Sequence, residues 1–395
     1  MSSLPRTARL AAAALALVAA APAPAQVTDA EITVGMCAPF TGTARELGLQ
    51  LKVGIDVAFA AANEAGGVNG RRVKLQAMDD VYDPARTLPC MKDLVEKRKV
   101  FAIVGNVGTP TAAVAVPYAN EKGVIFFGAF SGAPLLRNDP PDRFVFNYRA
   151  SYAEETAATV RYLVEVARVD PGKIAVFSQD DGFGQAGFDG VAKALRKLRR
   201  DPSKIVHVTY KRGTVDVDEA VKAVKKAGAS VKAVIMVATY KPAARFIEKL
   251  KDANLDAIYT NVSFVGSNEL AEELAALGPK YAAGVVVTQV VPNPASGATA
   301  ILKYREQLKK HAKGEKPEFV SLEGWLMARL FLEGLQKAGR NVTTDAVIDA
   351  LEGIKGLDLG IGVPLSFGPS EHQASHRVWG TVMDGKGAFT ALDLE

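Results

Sequence analysis

Residues 38–80 read APFTGTARELGLQLKVGIDVAFAAANEAGGVNGRRVKLQAMDD. Just upstream, ITVGM at 32–36 is a short apolar run, the pattern of a buried strand. Pro39 and Gly42 then end it, because neither suits the interior of a central strand. Within 48–63, Leu51, Ile55, Val57, Ala58, Phe59 and Ala62 recur at helical spacing, and Gly66-Gly67 closes the helix. VKLQAMDD at 73–80 reads as the next strand. Strand, loop, helix, turn, strand is the unit of an open α/β sheet, and such sheets bind ligands where a strand's carboxyl end opens toward a helix.

The same alternation continues outward. Residues 101–104, 111–120, 124–127 and 144–148 follow as strand, helix, strand and strand, with a proline-rich break at 132–143. A second set runs 152–168, 174–178, 184–199, 205–210, 217–226, 231–237, 242–253 and 257–260. One more strand is expected at 284–291, then helices at 298–311 and 320–338, and a tail of strand and turn from 360. Strands alternating with helices predict parallel sheets covered on both faces. No short repeat emerges, which disfavours a solenoid.

The amino end carries Arg6 and Arg9, an apolar run over 10–21, and Ala23-Pro24-Ala25, the layout of a secretory signal cut after Ala25. The apolar run is short of the roughly 20 residues a spanning helix needs. The first cysteine, Cys37, lies too far along for a lipoprotein signal. Export into the periplasm as a soluble monomer is the expectation. The chain of 395 residues, 48% hydrophobic and 23% charged, has the composition of a globular protein of two or three domains. Its net charge of +5 becomes +3 without the signal, and basic clusters such as Lys97-Arg98-Lys99 sit within acid-containing helical patterns. Solvated helix faces explain them better than nucleic-acid binding does. Two cysteines in an exported chain predict a Cys37–Cys90 disulfide, since Cys37 ends the first strand and Cys90 opens the helix after the second.

The block APFTG, NEAGGVNGRR, VKLQAMDD at this spacing resembles the opening of the periplasmic leucine/isoleucine/valine-type binding proteins of ABC importers, and later motifs extend the likeness over nearly the whole mature chain. The resemblance implies the type I periplasmic binding fold: α/β, two Rossmann-like lobes with parallel-rich sheets, joined by a three-strand hinge. Crossings near Tyr148, Ala283 and Leu357 would give one lobe from 26–148 and 284–357 and another from 149–283 and 358–395. It implies no cofactor, a small-molecule ligand, and the permease subunits of an ABC transporter as partners.

The loop GNVGTPT at 105–111 runs from a strand into a helix, so its backbone N–H groups and the Thr109 hydroxyl suit an anion. Thr109 and Pro110 equally suit an ordinary helix cap. By the resemblance, Thr109 binds the ligand carboxylate, and Ala129 and Ser131 in FGAFSGAP complete the clamp. The family's ligand-shelving aromatic matches Phe183, the second-lobe tyrosine matches Tyr240, and the first-lobe tyrosine falls on Leu47, so these three would wall an apolar side. The family's glutamate for the α-ammonium falls, through NVSFVGSN, at Ser263, and no acid lies between 258 and 268. A buried ammonium without an anionic partner is costly. A carboxylic acid or amide therefore fits this pattern better than an amino acid, unless Asp180, Asp181 or Glu269 enters the cleft.

Three enzyme-like patterns are weaker. Residues 182–187 match G-x-G-x-x-G, but Asp180 and Asp181 precede them, where phosphates would be repelled, and no acid closes the next strand. His372 and His376 lie four apart in a turn leading to a strand, with no third ligand nearby in sequence, which argues against a metal site. No G-x-S-x-G elbow occurs and there are four histidines in all, so the chain is not read as an enzyme. A soluble ligand sensor of the same fold is the alternative to a transport protein. Mass spectrometry of exported material is expected to find the amino terminus at Gln26, and retention of Met1 would contradict the signal assignment.

Overall fold

The computed structural model describes residues 27–395, so the signal assignment at 1–25 lies outside the described residues. The first lobe begins with β1 (Glu31–Ala38), α1 (Arg45–Glu64), β2 (Arg72–Asp79), α2 (Pro84–Lys92), β3 (Ala102–Val104), α3 (Thr109–Lys122), β4 (Ile125–Phe127) and β5 (Val145–Phe146). The second continues with α4 (Tyr152–Arg161), β6 (Ile174–Gln179), α5 (Gly182–Lys197), β7 (Val206–Tyr210), α6 (Asp218–Ala227) and β8 (Ala233–Val237). It goes on through α7 (Tyr240–Asp252), β9 (Ile258–Asn261), α8 (Ser267–Leu277), α9 (Pro279–Ala282) and β10 (Val286–Gln289). Helices α10 (Thr299–His311), α11 (Phe319–Lys337) and α12 (Thr344–Glu352) follow, then β11 (Trp379–Met383) and β12 (Phe389–Leu392).

Among the described residues these strands form two sheets. One has the order β2-β1-β3-β4-β5 and is wholly parallel; the other has the order β12-β11-β10-β9-β8-β6-β7, with β11 and β12 antiparallel at its edge. The parallel strands are apolar almost end to end, as expected where helices cover both faces: β1, β6 and β8 are buried along nearly their whole length. Strand order reverses beside β1 and β3 in one lobe and beside β6 and β8 in the other. The loops leaving those strands therefore flank the crevice where such sheets take ligands.

Helices α10 to α12 return to the first lobe, where α11 packs along α1. That contact explains a glycine inside each helix. A Cβ on Gly54 would stand 1.9 Å from the Ser321 carbonyl oxygen, and one on Gly324 2.3 Å from that of Leu51. Both backbones meet at a distance no larger residue allows.

The chain passes between lobes three times, but two of the passages differ from the sequence expectation. The sequence reading puts 284–291 in the first lobe, yet Val286 and Val287 pair in parallel with Thr260 and Asn261 of β9, and β10 also pairs with β11. The second passage thus follows Gln289 rather than lying near Ala283. The third comes after 373, not near Leu357. Leu357 bridges Leu365, Gln373 bridges Asn147 at the end of β5, and Phe367 packs edge-on against Phe127 and Phe146, so 358–373 stay with the first lobe. Strand pairing decides the second boundary, a bridge and ring packing decide the third, and a four-residue strand carries no mark of which sheet it joins.

Cys37 and Cys90 are bridged, with Cα atoms 6.1 Å apart. Cys90 lies late in α2 rather than at its start. His372 stacks on Phe146 with ring centroids 3.9 Å apart and sits 3.2 Å from Glu352, while His376 Nδ1 lies 2.7 Å from Glu154. Both histidines therefore fasten the third crossing to its surroundings. Among the described residues no helix is long and apolar enough to cross a membrane.

Candidate functional site

The lobes meet along the loops that leave their parallel strands. On the first lobe, Gly108 takes φ 105°, a value glycine adopts freely, and a Cβ there would strike the Tyr82 ring at 2.2 Å. Helix α3 then starts at Thr109 itself. No side chain caps it; the Thr111 hydroxyl turns back onto the Gly108 carbonyl at 2.9 Å. Thr109 is consequently not the cap that its sequence context suggested. Its Oγ1 instead meets Ser131 Oγ at 2.8 Å, both side chains being buried. Ala129 lies in the same loop and its carbonyl accepts the Ser131 N–H at 2.8 Å. Two hydroxyls thus converge at a helix amino terminus, where free backbone N–H groups and the helix dipole favour negative charge.

Tyr82 reaches the crevice from a strained turn. Val81 and Tyr82 both have positive φ, 56° and 61°, and Asp79 and Asp80 hold them there by accepting their N–H groups at 2.9 and 3.0 Å. Asp80 is wholly buried, which raises its carboxyl to about 6. Tyr82 Oη accepts a hydrogen bond from Gln179 of the second lobe at 3.2 Å, a direct link across the crevice.

From the second lobe, Phe183 enters as the second residue of α5. Its ring lies 4.6 Å from that of Phe264 and 5.2 Å from that of Tyr152. Phe264 in turn lies 5.3 Å from Phe130 and 6.2 Å from Tyr82 of the first lobe. The G-x-G-x-x-G glycines serve packing: a Cβ on Gly184 would stand 1.9 Å from the Gln179 carbonyl oxygen, and one on Gly187 2.4 Å from Val237. Asp181 caps α5 by accepting the Phe183 N–H at 3.0 Å, so a carboxylate already stands where a phosphate would sit.

Ser263 has charged neighbours that its own loop does not reveal. Glu155 of α4 accepts the Ser263 N–H at 2.8 Å, its hydroxyl at 3.0 Å and the Thr288 hydroxyl at 2.6 Å. Arg149, in the first crossing, donates to Ser263 Oγ, lies 4.0 Å from Glu155 and 3.3 Å from Glu323 of α11, and covers the Phe130 ring at 4.6 Å. The expectation of a neutral surround at Ser263 is thereby corrected. The acid is Glu155, not Asp180, Asp181 or Glu269, and a guanidinium accompanies it. Burial works against the charge of Arg149, but Glu323 and Glu155 outweigh it and raise its pKa. Burial raises Glu155 and lifts Glu323 to about 7, Arg149 partly opposing it. Arg149 Nη1 makes no hydrogen bond, and Tyr152 Oη lies buried beside Ser131.

Leu47 and Tyr240 are brought together at Gly266, where a Cβ would meet Leu47 at 2.7 Å and Tyr240 at 3.5 Å. Both belong to the apolar core, Leu47 fully buried and Tyr240 1% exposed. Glu269 Oε2 stands 2.9 Å from the same point, and Tyr240 lines a cavity rich in glutamates. Sequence reasoning missed Tyr82, Phe130, Arg149, Tyr152, Glu155, Phe264 and Glu323. One signal was available: Ser151 and Glu154 form a reciprocal capping box. It fixes the start of α4 and places Glu155 as its fourth residue, next to the capping Glu154 and six positions after Arg149. Its partner Glu323 carries no such mark.

A carboxyl with a raised folded-state pKa binds a proton that the unfolded chain has released. Its contribution to stability is full below the ordinary value of 4.5 and is lost as the pH rises through about 7. Glu323→Gln is therefore expected to flatten the fall of melting temperature between about pH 5 and pH 7.5. An unchanged slope would contradict this placement of the charge.

Comparisons with known proteins bear on the fold and the family. A family model described as periplasmic binding protein matches residues 31–388. A solved structure of a possible leucine/isoleucine/valine-binding protein from Rhodopirellula baltica superposes with TM-score 0.87 at 36% identity, covering 95% of this chain and 99% of that one. A Leu/Ile/Val-binding protein homolog from Brucella melitensis is 26% identical over 349 residues, 86% of this chain and 88% of that protein. An amino acid binding protein from Pseudomonas aeruginosa is 25% identical over 317 residues, 79% of this chain and 80% of that protein. With two parallel-rich lobes, a crevice between them and a match over nearly all the described residues, the chain belongs to the periplasmic binding protein family, whose members bind ligands rather than transform them.

Proposed function

We propose that this protein is the extracytoplasmic solute-binding component of an ABC importer, exported to the periplasm, which closes its lobes over a small organic carboxylate and delivers it to permease subunits. The observation that carries this reading is the pair of buried hydroxyls, Thr109 and Ser131, 2.8 Å apart at the start of α3. The ligand carboxylate would accept from both and from the first N–H groups of the helix. Charge-assisted hydrogen bonds of this kind contribute about 1.5–3 kcal/mol each. The rings of Phe183, Phe264 and Phe130 would cover the apolar remainder, and roughly 150 Å² of buried ligand surface adds about 4 kcal/mol. After the cost of association, such terms support micromolar affinity or better.

The charges near Ser263 favour an acid without an α-ammonium. Glu155 already accepts three hydrogen bonds from Ser263 and Thr288, and Arg149 stands beside it. A ligand ammonium would meet a guanidinium before it met a free carboxylate oxygen. Arg149 Nη1, which makes no hydrogen bond within the protein, would instead serve a second oxygen of the ligand.

Calorimetric titration with leucine, 4-methylpentanoate and 4-methyl-2-oxopentanoate tests both parts. The two acids are expected to bind more tightly than the amino acid. Thr109→Ala combined with Ser131→Ala should weaken their binding by more than about a hundredfold while the circular dichroism spectrum stays that of the wild type. Preference for leucine would overturn the ligand class, and unchanged affinity in the double variant would remove the clamp.

A further inference from the structure

Arg137, between β4 and β5, ties the clamp loop to two of the three crossings. Its Nη1 donates to the Ser131 and Ala133 carbonyls at 3.2 and 3.1 Å, and its Nη2 to the Arg149 carbonyl in the first crossing at 2.9 Å. Its Nε donates to Gln373 Oε1 at 2.5 Å, where the third crossing begins. Gln373 is 4% exposed, and that bond fixes which way its amide faces. The amide nitrogen is thereby aimed at α4, donating to Glu154 Oε2 at 2.9 Å and to the Ser375 carbonyl at 3.1 Å. A first-lobe loop, two crossings and a second-lobe helix thus meet in one chain of hydrogen bonds.

His376 closes that chain, and histidine is the side chain whose ordinary pKa lies nearest neutrality. Both Gln373 N–H groups already have acceptors, so neither is left for His376 Nδ1, although the amide nitrogen lies 2.8 Å away. Nδ1 must carry its own proton and donate it to Glu154 Oε1 at 2.7 Å. A second proton goes to Nε2, which faces Glu371 at 4.0 Å. The cation then lies between two carboxylates. Glu154 Oε2 also accepts the Ser151 N–H and hydroxyl, both at 2.6 Å. Burial alone would raise Glu154, but His376 and Ser151 outweigh it and bring it to about 2, so it stays ionised while the histidine titrates. The bond to Glu154 raises His376 above its ordinary 6.5.

The His376 side chain is 58% exposed and borders a cavity of about 580 Å³ between α4, the third crossing and the chain's carboxyl end, so protons reach it directly. The charged groups facing it are Glu154 on α4, Glu371 ahead of the crossing and Arg137, which opposes its charge. Arg377, Asp393, and Arg161 with its partner Glu395 at 3.8 Å line the same cavity.

We propose that protonated His376 is a positioning residue for the carboxylate clamp: bound to Glu154, it fastens the third crossing to α4 and, through Gln373 and Arg137, holds the Ser131 loop in its ligand-binding form. A histidine raised on folding contributes fully below its ordinary 6.5 and loses that contribution as the pH rises through its higher folded value. The clasp is therefore fastened in mild acid and released in mild alkali. Its effect on affinity rests on the clamp reading of Thr109 and Ser131; the clasp itself does not.

Two measurements test it at pH 6 and pH 8.5 on the wild type, His376→Gln and His376→Arg. The first is hydrogen exchange of the ligand-free protein, corrected for intrinsic rates, at the Ala374 and Ser375 amides, which donate to the Asn147 and Tyr148 carbonyls. The second is titration with 4-methylpentanoate, which is ionised at both values. Asp80 and Glu323 titrate in the same range, so the differences between variants carry the result. His376→Gln is expected to lose protection and affinity by about threefold to tenfold at pH 6 and to match the wild type at pH 8.5. His376→Arg, which keeps the positive charge, should match the wild type at pH 6 and exceed it by a similar factor at pH 8.5. A glutamine variant that differs from the wild type equally at both values, or an arginine variant that gains nothing at pH 8.5, would overturn the proposal. The exchange measurement needs no ligand, so it decides the clasp even where acids fail to bind at Thr109 and Ser131.

Discussion

A guanidinium buried between two carboxylates governs how the halves of this molecule relate. Arg149 stands where the chain first leaves one lobe for the other; Glu155 reaches it from α4 of the second lobe and Glu323 from α11 of the first. Taking an arginine wholly out of water costs several kcal/mol in effective terms, which paired carboxylates and hydrogen bonds offset only when the geometry is kept. Removing one partner of such a cluster is far more damaging than the cluster is stabilising. The lobes therefore share a charge balance as well as a crevice, and movement of either must carry the guanidinium or strip it of an acid.

The same cluster shapes the binding chemistry. Ser263 is held by Glu155 through both its N–H and its hydroxyl, which sets Phe264 between Phe183 of its own lobe and Phe130 and Tyr82 of the other. Phe130 carries the guanidinium on its face and lies one residue before Ser131 of the clamp. Aromatic packing, the hydroxyl pair and the buried cation are thus one continuous structure. Its polarity runs from donors at the start of α3 toward the positive charge of Arg149, an arrangement suited to anionic oxygen.

The architecture was legible because parallel sheets demand alternating elements, and alternation survives in a single sequence. Thr109 stands out in a loop that leads from a strand into a helix, whereas Ser131 and Phe183 are marked only by the family resemblance. The charged centre was not legible. Arg149, Glu155 and Glu323 gain meaning only when residues up to 174 positions apart meet, and an isolated glutamate on an amphipathic helix looks the same whether it faces water or a guanidinium. The lobe boundaries failed for a related reason: β10 is a strand by its own residues but a member of the second sheet only by its neighbours. Tyr240 also borders glutamates that arrive from α1, α8 and the approach to α11, which no pattern in its own stretch of sequence announces.

Closure over an acid is the central claim, and the distance between the lobes reports it most directly. With one spin label on the exposed face of α10 in the first lobe and another on α6 in the second, pulsed dipolar spectroscopy reads that distance with and without ligand. Addition of 4-methylpentanoate is expected to collapse a broad distribution into a single shorter distance, while 4-methylpentan-1-ol, which lacks the carboxylate, leaves it unchanged. A distribution that ignores the acid, or narrows equally with the alcohol, would contradict the account.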